Sequence, residues 1–169
     1  MCPQDTAPAR RPDSSDCKRF DRKSAMPLIE QKYQRIAKDI EGFPADIIAD
    51  LLTNPVGSEK ALTAVKKAKE YAVLTGTRFV VAAADQEALC DTFKTVEQHG
   101  ASNRKNIHDS GWLRGCMNKA AQSKCVEYFT EQKVSGTTGL KEVYVAVRIG
   151  EEVENIIGVI RGSKQAAPV

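Results

Sequence analysis

The spacing of the apolar residues changes at Thr77, and this change limits the possible folds more than any other sequence feature. Between residues 27 and 76 the apolar side chains recur every three or four positions, as they do on one face of a helix. After Thr77 the chain contains short runs of β-branched and aromatic residues, which are typical of strands. Helices followed by strands predict an α+β fold, in which N-terminal helices pack on one side of an antiparallel sheet.

Three helices are predicted before Thr77. The first spans residues 27–42 and is expected to end near a glycine. The second follows Phe43-Pro44 and ends before Asn54-Pro55, and the third begins after Ser58, a good N-cap residue. The stripe on the first helix could serve either a core or a dimer interface, and it consists of Ile29, Tyr33, Ile36 and Ile40.

Four strands are predicted after Thr77, and the last three are joined by short connections, as in an antiparallel meander. These strands cover residues 78–84, 125–134, 142–149 and 156–161. Residues 86–98 remain ambiguous, because Leu89, Phe93 and Val96 have helical spacing although a strand is also compatible. A further helix is expected over residues 109–123.

The length of 169 residues is typical of one domain. Residues 1–25 contain three prolines and mixed charges, so we expect a disordered basic and polar tail there. The domain is then expected over residues 26–163, followed by a second disordered tail over residues 164–169. Four aspartates dilute the six basic residues of the first tail, and the formal net charge is +3, so nucleic-acid binding is not the favoured interpretation.

The cysteine pattern and the N-terminus bear on the compartment. Five cysteines form no C-x-x-C pair, and the two histidines are not spaced from them as zinc ligands are. We therefore expect free thiols and no metal, with a Cys116–Cys125 disulfide as an open alternative. The absence of a signal peptide predicts a cytoplasmic location, or an extracytoplasmic one if the chain is a piece of a receptor. No apolar run approaches the ~20 residues of a membrane helix, so no membrane segment is predicted.

Several short motifs occur in order along the chain. They are Asn54-Pro55, the run Thr-Gly-Thr-Arg-Phe-Val-Val at 75–81, His99-Gly100, Tyr128, the glycine turn at 136–139, Tyr144 and Ile157-Gly158-Val159. With these motifs, residues 36–162 resemble a single Cache domain, the PAS-like sensor module of bacterial receptors. The resemblance implies a small-molecule pocket on the sheet face and no catalysis. It also implies that the first helix relays ligand binding to a second copy or a signalling partner.

The candidate site residues are polar and aromatic side chains on the predicted strands and the loop before the last helix. Two opposed arginines would hold a carboxylate by paired hydrogen bonds, and aromatic side chains would line the pocket. The six candidates are Arg78, His99, Trp112, Tyr128, Tyr144 and Arg148. We therefore predict a ligand-sensing domain that is not an enzyme, needs no cofactor and forms a homodimer or binds a signalling partner.

Two other functional classes remain open. One is a profilin-like or roadblock-like protein-interaction module without a pocket, whose sheet face would be filled by its own side chains. The other is a small protein that binds haem through His99 or His108, or uses a reactive Cys116 thiolate. The first predicts no response to small ligands, and the second predicts a haem absorption band or a reactive thiol.

Overall fold

The computed structural model describes residues 28–84, 88–100, 115–123, 126–135, 138–150 and 158–166. In these residues the helices are α1 (Leu28–Glu41), α2 (Ala45–Thr53), α3 (Glu59–Thr75) and α4 (Gly115–Gln122). The strands are β1 (Arg78–Ala83), β2 (Ala88–Asp91), β3 (Phe129–Val134), β4 (Lys141–Ile149) and β5 (Gly158–Gln165). A short 3-10 turn, Glu97–His99, follows β2. The predicted tail of residues 1–25 and the predicted helical residues 109–114 lie outside the described residues.

The five strands form one antiparallel sheet in the order β2-β1-β5-β4-β3. Strands β3, β4 and β5 are consecutive neighbours, so the predicted meander is confirmed. Strand β1 pairs with β5, which places the last strand at the centre of the sheet. Helices α1, α2 and α3 cover one face, and the predicted α+β class with N-terminal helices on one side is therefore confirmed.

Local sequence signals set both ends of α3. The Ser58 side chain accepts a hydrogen bond from the Ala61 amide at 3.3 Å and caps α3. Gly76 ends the same helix in the left-handed conformation, with φ of +69°. Both signals are contained in a few neighbouring residues, which is why the sequence predicts these boundaries well.

The apolar stripe of α1 packs on the sheet within a single chain. Tyr33, Ile36 and Ile40 are all buried and belong to the main core, whereas nothing is described of the Ile29 side chain. Gly162 on β5 lets the helix approach, because a Cβ atom there would lie only 2.6 Å from Cγ2 of Ile36. The described part of this stripe thus belongs to the core, and it is not available as the dimer interface that its spacing also allowed.

The opposite face of the sheet carries a smaller core beneath α4. Cys116, Met117 and Ala120 of the helix pack against Val80 and Ala146 of the sheet. Because successive side chains of a strand point to opposite faces, Tyr144 and Arg161 also lie on this side. The sheet is therefore covered by three helices on one face and by α4 over part of the other.

The segment of residues 86–98 contains a strand and a 3-10 turn where its apolar spacing also allowed a helix. Val80 and Val81 of β1 pair with Asp91 and Cys90 of β2, so the segment adds an edge strand next to β1. Pairing with the preceding strand β1 overrides the helical spacing, and spacing alone cannot reveal that.

Strand β5 differs from its predicted bounds of 156–161. It begins at Gly158 and continues to Gln165, so Lys164 and Gln165 belong to the sheet although they were assigned from sequence to the C-terminal tail. Lys164 donates hydrogen bonds to the carbonyl oxygens of Thr75 and Gly76 at 3.0 and 3.1 Å. These contacts hold the extended strand end against the C-terminus of α3. Among the described residues, no helix has both the length and the apolar character needed to cross a membrane.

Candidate ligand-binding site

Arg161 lies on the central strand, on the sheet face opposite α1, and is only 8% exposed. Its guanidinium carbon sits 4.6 Å from the centre of the Tyr144 ring, in a cation–π arrangement. Within the part of the chain that the structure describes, its Nε atom has no hydrogen-bond partner. No carboxylate of the described residues forms a salt bridge with it. This sheet face therefore contains a buried cation that has no carboxylate partner among the described residues.

The environment of Arg161 disfavours its charge. Burial lowers the pKa of its guanidinium, and the positive charge of Arg78 lowers this pKa further. A buried charge is costly unless it is paired and hydrogen-bonded. An anion placed at the guanidinium would supply the missing partner through charge-assisted hydrogen bonds.

Arg78, by contrast, has carboxylate partners. Its Nε and Nη2 atoms donate to the two oxygens of Asp91 at 3.0 and 2.7 Å. Its Nη1 atom lies 3.9 Å from Oε1 of Glu142. Burial acts to lower the pKa of Arg78, but the hydrogen bonds and charge of Asp91 outweigh burial and raise it. Arg78 thus lies on the same sheet face as Arg161, but its hydrogen-bonding capacity is largely used by Asp91.

Arg148 does not face Arg78 across a pocket. It pairs with Val159 on β5, whereas Arg78 pairs with Ser163 of the same strand. Four residues separate those two positions, which is about 13 Å along a strand. Arg148 is buried and donates from Nη1 to the Ser123 carbonyl at 3.3 Å. The two arginines therefore lie toward opposite ends of the sheet, and their joint contact with a carboxylate stays a prediction.

Tyr144 is the predicted aromatic residue that does lie at the site. Its side chain is almost completely buried between Arg161 and the polar end of the sheet face. Burial raises the pKa of its phenol, while a hydrogen bond with Ser135 opposes that shift. The ring therefore presents a neutral aromatic surface beneath the Arg161 guanidinium.

His99 is buried, and both of its ring nitrogens contact backbone groups. Its Nε2 atom accepts a hydrogen bond from the Asp91 amide at 3.0 Å, and its Nδ1 atom lies 2.7 Å from the Thr95 carbonyl oxygen. This pattern requires a neutral ring with the proton on Nδ1. Both ring nitrogens are engaged, so His99 could bind haem iron only by breaking one of these bonds. Its role in the structure is to position Asp91, the partner of Arg78.

The remaining predicted residues are not brought to Arg161. The Tyr128 hydroxyl donates to Oε2 of Glu41 at 2.9 Å, and its ring belongs to the core beneath α1. Trp112 and His108 lie outside the described residues. Burial raises the pKa of the Cys116 thiol to about 12, so this thiol stays protonated and is not a reactive thiolate at neutral pH. Among the described residues, no cluster of three or more acidic, histidine or cysteine side chains is arranged to hold a metal ion.

Three important residues of this face were not predicted from the sequence: Arg161, Asp91 and Glu142. A weak signal existed for Arg161, since it is the single charge in the strand sequence Val-Ile-Arg-Gly. A charged residue within an otherwise buried central strand indicates either a buried ion pair or a ligand contact.

The chain was also compared with known proteins. No protein-family model matches it, and no curated protein matches it either.

Proposed function

We propose that this protein is a ligand-sensing signalling domain of the PAS-like, single Cache kind that its sequence resembles. It binds a small carboxylate at Arg161 and relays binding through α1. The observation that carries the proposal is the buried guanidinium of Arg161, which has no counter-ion among the described residues. The antiparallel sheet with helices on one face supports the proposal, because PAS and Cache domains share this outline.

The surroundings of Arg161 favour a small ligand with a short apolar part. Val80 and Ala146 flank Arg161 on the neighbouring strands, and both have compact side chains. Met117 of α4 belongs to the same apolar cluster. A carboxylate fits the planar fork of a guanidinium, and the aliphatic remainder would pack on these side chains. We therefore propose short monocarboxylates as the ligand class.

Strand β5 provides a direct route from this site to α1. Arg161 points to one face, and the next residue, Gly162, lies against Ile36 of α1 on the other. At the end of the strand, Lys164 lies 3.8 Å from Asp39 of α1. Lys32 of the same helix donates to the backbone carbonyls of Gln165 and Ala166. A shift of β5 on ligand binding would therefore move the packing surface of α1.

A thermal-shift screen with isothermal titration calorimetry tests the proposal. Short monocarboxylates are compared with their uncharged amides, in wild type and in Arg161→Met. A ligand at a hundredfold excess over its Kd stabilises a protein by about 2.7 kcal/mol, which raises the Tm by several degrees at this size. We expect this shift for carboxylates and wild type only.

The Arg161→Met control separates binding from folding. Replacing a buried, unpaired cation with an apolar side chain should leave the free energy of unfolding unchanged or higher. If Arg161 were only structural, this variant would be less stable. Carboxylate binding that persists in Arg161→Met, or no stabilisation of wild type by any carboxylate, would overturn the proposal.

A further inference from the structure

An open cleft of about 440 Å³ lies at the end of the sheet where β1 and β4 begin. Its lining includes Arg78, Phe93, Thr138, Leu140, Glu142 and Lys164. Arg78 lies in this wall, hydrogen-bonded to Asp91 on β2 and 3.9 Å from Glu142 on β4, whereas Arg161 is not among the lining residues. The cleft is therefore a separate space from the proposed carboxylate site.

Glu142 supplies an unsatisfied acceptor in the wall of the cleft. It is only 5% exposed, and its Oε2 atom accepts a hydrogen bond from the Thr138 hydroxyl at 2.6 Å. Its Oε1 atom has no hydrogen-bond partner in the described part of the chain. The nearest cation is Nη1 of Arg78 at 3.9 Å, which is too far for a hydrogen bond. A buried carboxylate oxygen without a donor is a costly arrangement unless a ligand completes it.

The neighbouring cations are already committed to other groups. Arg78 forms its paired hydrogen bonds with Asp91. Lys164 donates to two backbone carbonyls at the end of α3 and lies near Asp39. Lys133, which pairs with Glu142 across the strands, forms its salt bridge with Glu131 at 3.2 Å. Glu142 therefore has one cation within ion-pair distance, Arg78, which directs its hydrogen bonds to Asp91, and its Oε1 atom is left without a donor among the described residues.

Two apolar side chains form the outer walls of the cleft. Phe93 is 53% exposed and Leu140 is 47% exposed, although both are large hydrophobic residues. Exposed apolar surface beside a buried polar group is a common composition for a ligand site.

We propose that this cleft binds a primary amine that carries a short alkyl or arylalkyl group. The ammonium group donates to Oε1 of Glu142, and the apolar group packs between Phe93 and Leu140. This site goes beyond the proposed carboxylate sensing, because it has the opposite charge preference and does not use Arg161.

The probe is 2-phenylethylamine, titrated into the protein of residues 1–169 and followed by calorimetry and by backbone amide NMR shifts. We expect saturable binding, with the largest shifts at Phe93, Thr138, Leu140 and Glu142. Phenylacetate and 2-phenylethanol, which keep the aromatic group but lack the ammonium, should bind at least tenfold more weakly.

Variants then assign the contact. Glu142→Gln should weaken amine binding at least tenfold, and Phe93→Ala should weaken it about threefold. The control Glu70→Gln, which changes an exposed carboxylate on α3 outside the cleft, should leave amine binding unchanged, as should Arg161→Met. Equal binding of the amine and its alcohol, or shifts that map elsewhere, would overturn the assignment. If Glu142→Gln fails to fold, the NMR shifts of the wild-type protein still show whether the amine binds in this cleft.

Discussion

The buried histidine shows how one residue supports the charged face without touching a ligand. His99 accepts a hydrogen bond from the Asp91 backbone amide, and the Asp91 side chain in turn holds Arg78 by two hydrogen bonds. Lys69 and Lys94 lie close enough to add positive charge around the ring, which opposes protonation, whereas Asp91 and the Thr95 carbonyl favour it. The neutral His99 ring therefore helps to hold Asp91 in place for Arg78, and protonation of the ring would remove its hydrogen bond with the Asp91 amide.

This arrangement predicts a loss of stability at mildly acidic pH. Burial lowers the pKa of His99 below the ordinary value of 6.5, so the unfolded chain binds a proton more readily than the folded one. The stabilisation that the neutral His99 ring contributes is therefore complete above the pKa of His99 in the unfolded chain. It is lost as the pH falls from that value toward the lower pKa of the folded state. The slope from one such group reaches at most about 1.4 kcal/mol per pH unit.

Urea unfolding between pH 7.5 and 5.5 measures this effect. We expect the wild-type free energy of unfolding to fall across this range, while His99→Gln starts lower at pH 7.5 and changes less with pH. Parallel pH profiles for the two proteins would contradict the assignment of the titration to His99.

At the residue scale, the sequence predicts the position of a side chain on its own strand better than its partners on other strands. Tyr144 is a predicted site residue that lies on the face of Arg161, because side chains alternate along β4 and β5. Arg161 was missed, because its importance comes from the lack of a carboxylate partner among the described residues, including those of the two neighbouring strands β1 and β4. Arg78 has its partner Asp91 thirteen residues away, on a strand that the sequence left ambiguous. Such pairings depend on tertiary structure, and residue spacing does not contain them.

At the element scale, helix boundaries follow from local chemistry, whereas strand boundaries follow from neighbours. Ser58 and Gly76 mark the ends of α3 with no help from the rest of the molecule. Strand β5, by contrast, extends beyond its apolar residues because β4 pairs with it as far as Gln165. The packing of α1 on this strand then depends on a single small residue, Gly162.

The contact between β5 and α1 predicts the effect of enlarging Gly162. In Gly162→Ala the new methyl group would meet Cγ2 of Ile36 at 2.6 Å and Cγ2 of Thr77 at 3.2 Å. Overpacking of this kind costs about 1–3 kcal/mol, which urea unfolding can measure. Ile36→Ala removes the clashing group, so the double variant should be less destabilised than the sum of the two single variants. Strict additivity would show that the helix moves away instead.

At the scale of the whole molecule, the C-terminal half of α1 is joined to several other elements through Asp39 and Glu41. Asp39 accepts a hydrogen bond from the Thr77 hydroxyl at 2.6 Å and lies near Lys164. The Tyr71 hydroxyl donates to the Asp39 carbonyl oxygen at 2.7 Å, and Tyr128 donates to Glu41. These contacts connect α1 to α3, to the residue before β1, to the central strand β5 and to the residue before β3. They make Asp39 the junction through which the proposed relay would pass.

The relay predicts a specific behaviour for Asp39→Ala. Hydrogen exchange of the wild-type protein should slow in the second half of α1 when a carboxylate saturates Arg161, because β5 holds that half of the helix. In Asp39→Ala the carboxylate should bind with a Kd within about threefold of wild type, since Asp39 lies on the opposite side of the sheet. The change in α1 exchange should nevertheless be reduced, because the side-chain link between β5 and the helix is gone. Arg35→Ala, on the same helix, serves as the control and should keep the wild-type response. If Asp39→Ala responds like wild type, the coupling runs through the apolar contact of Gly162 with Ile36, and the ion pair has no part in it.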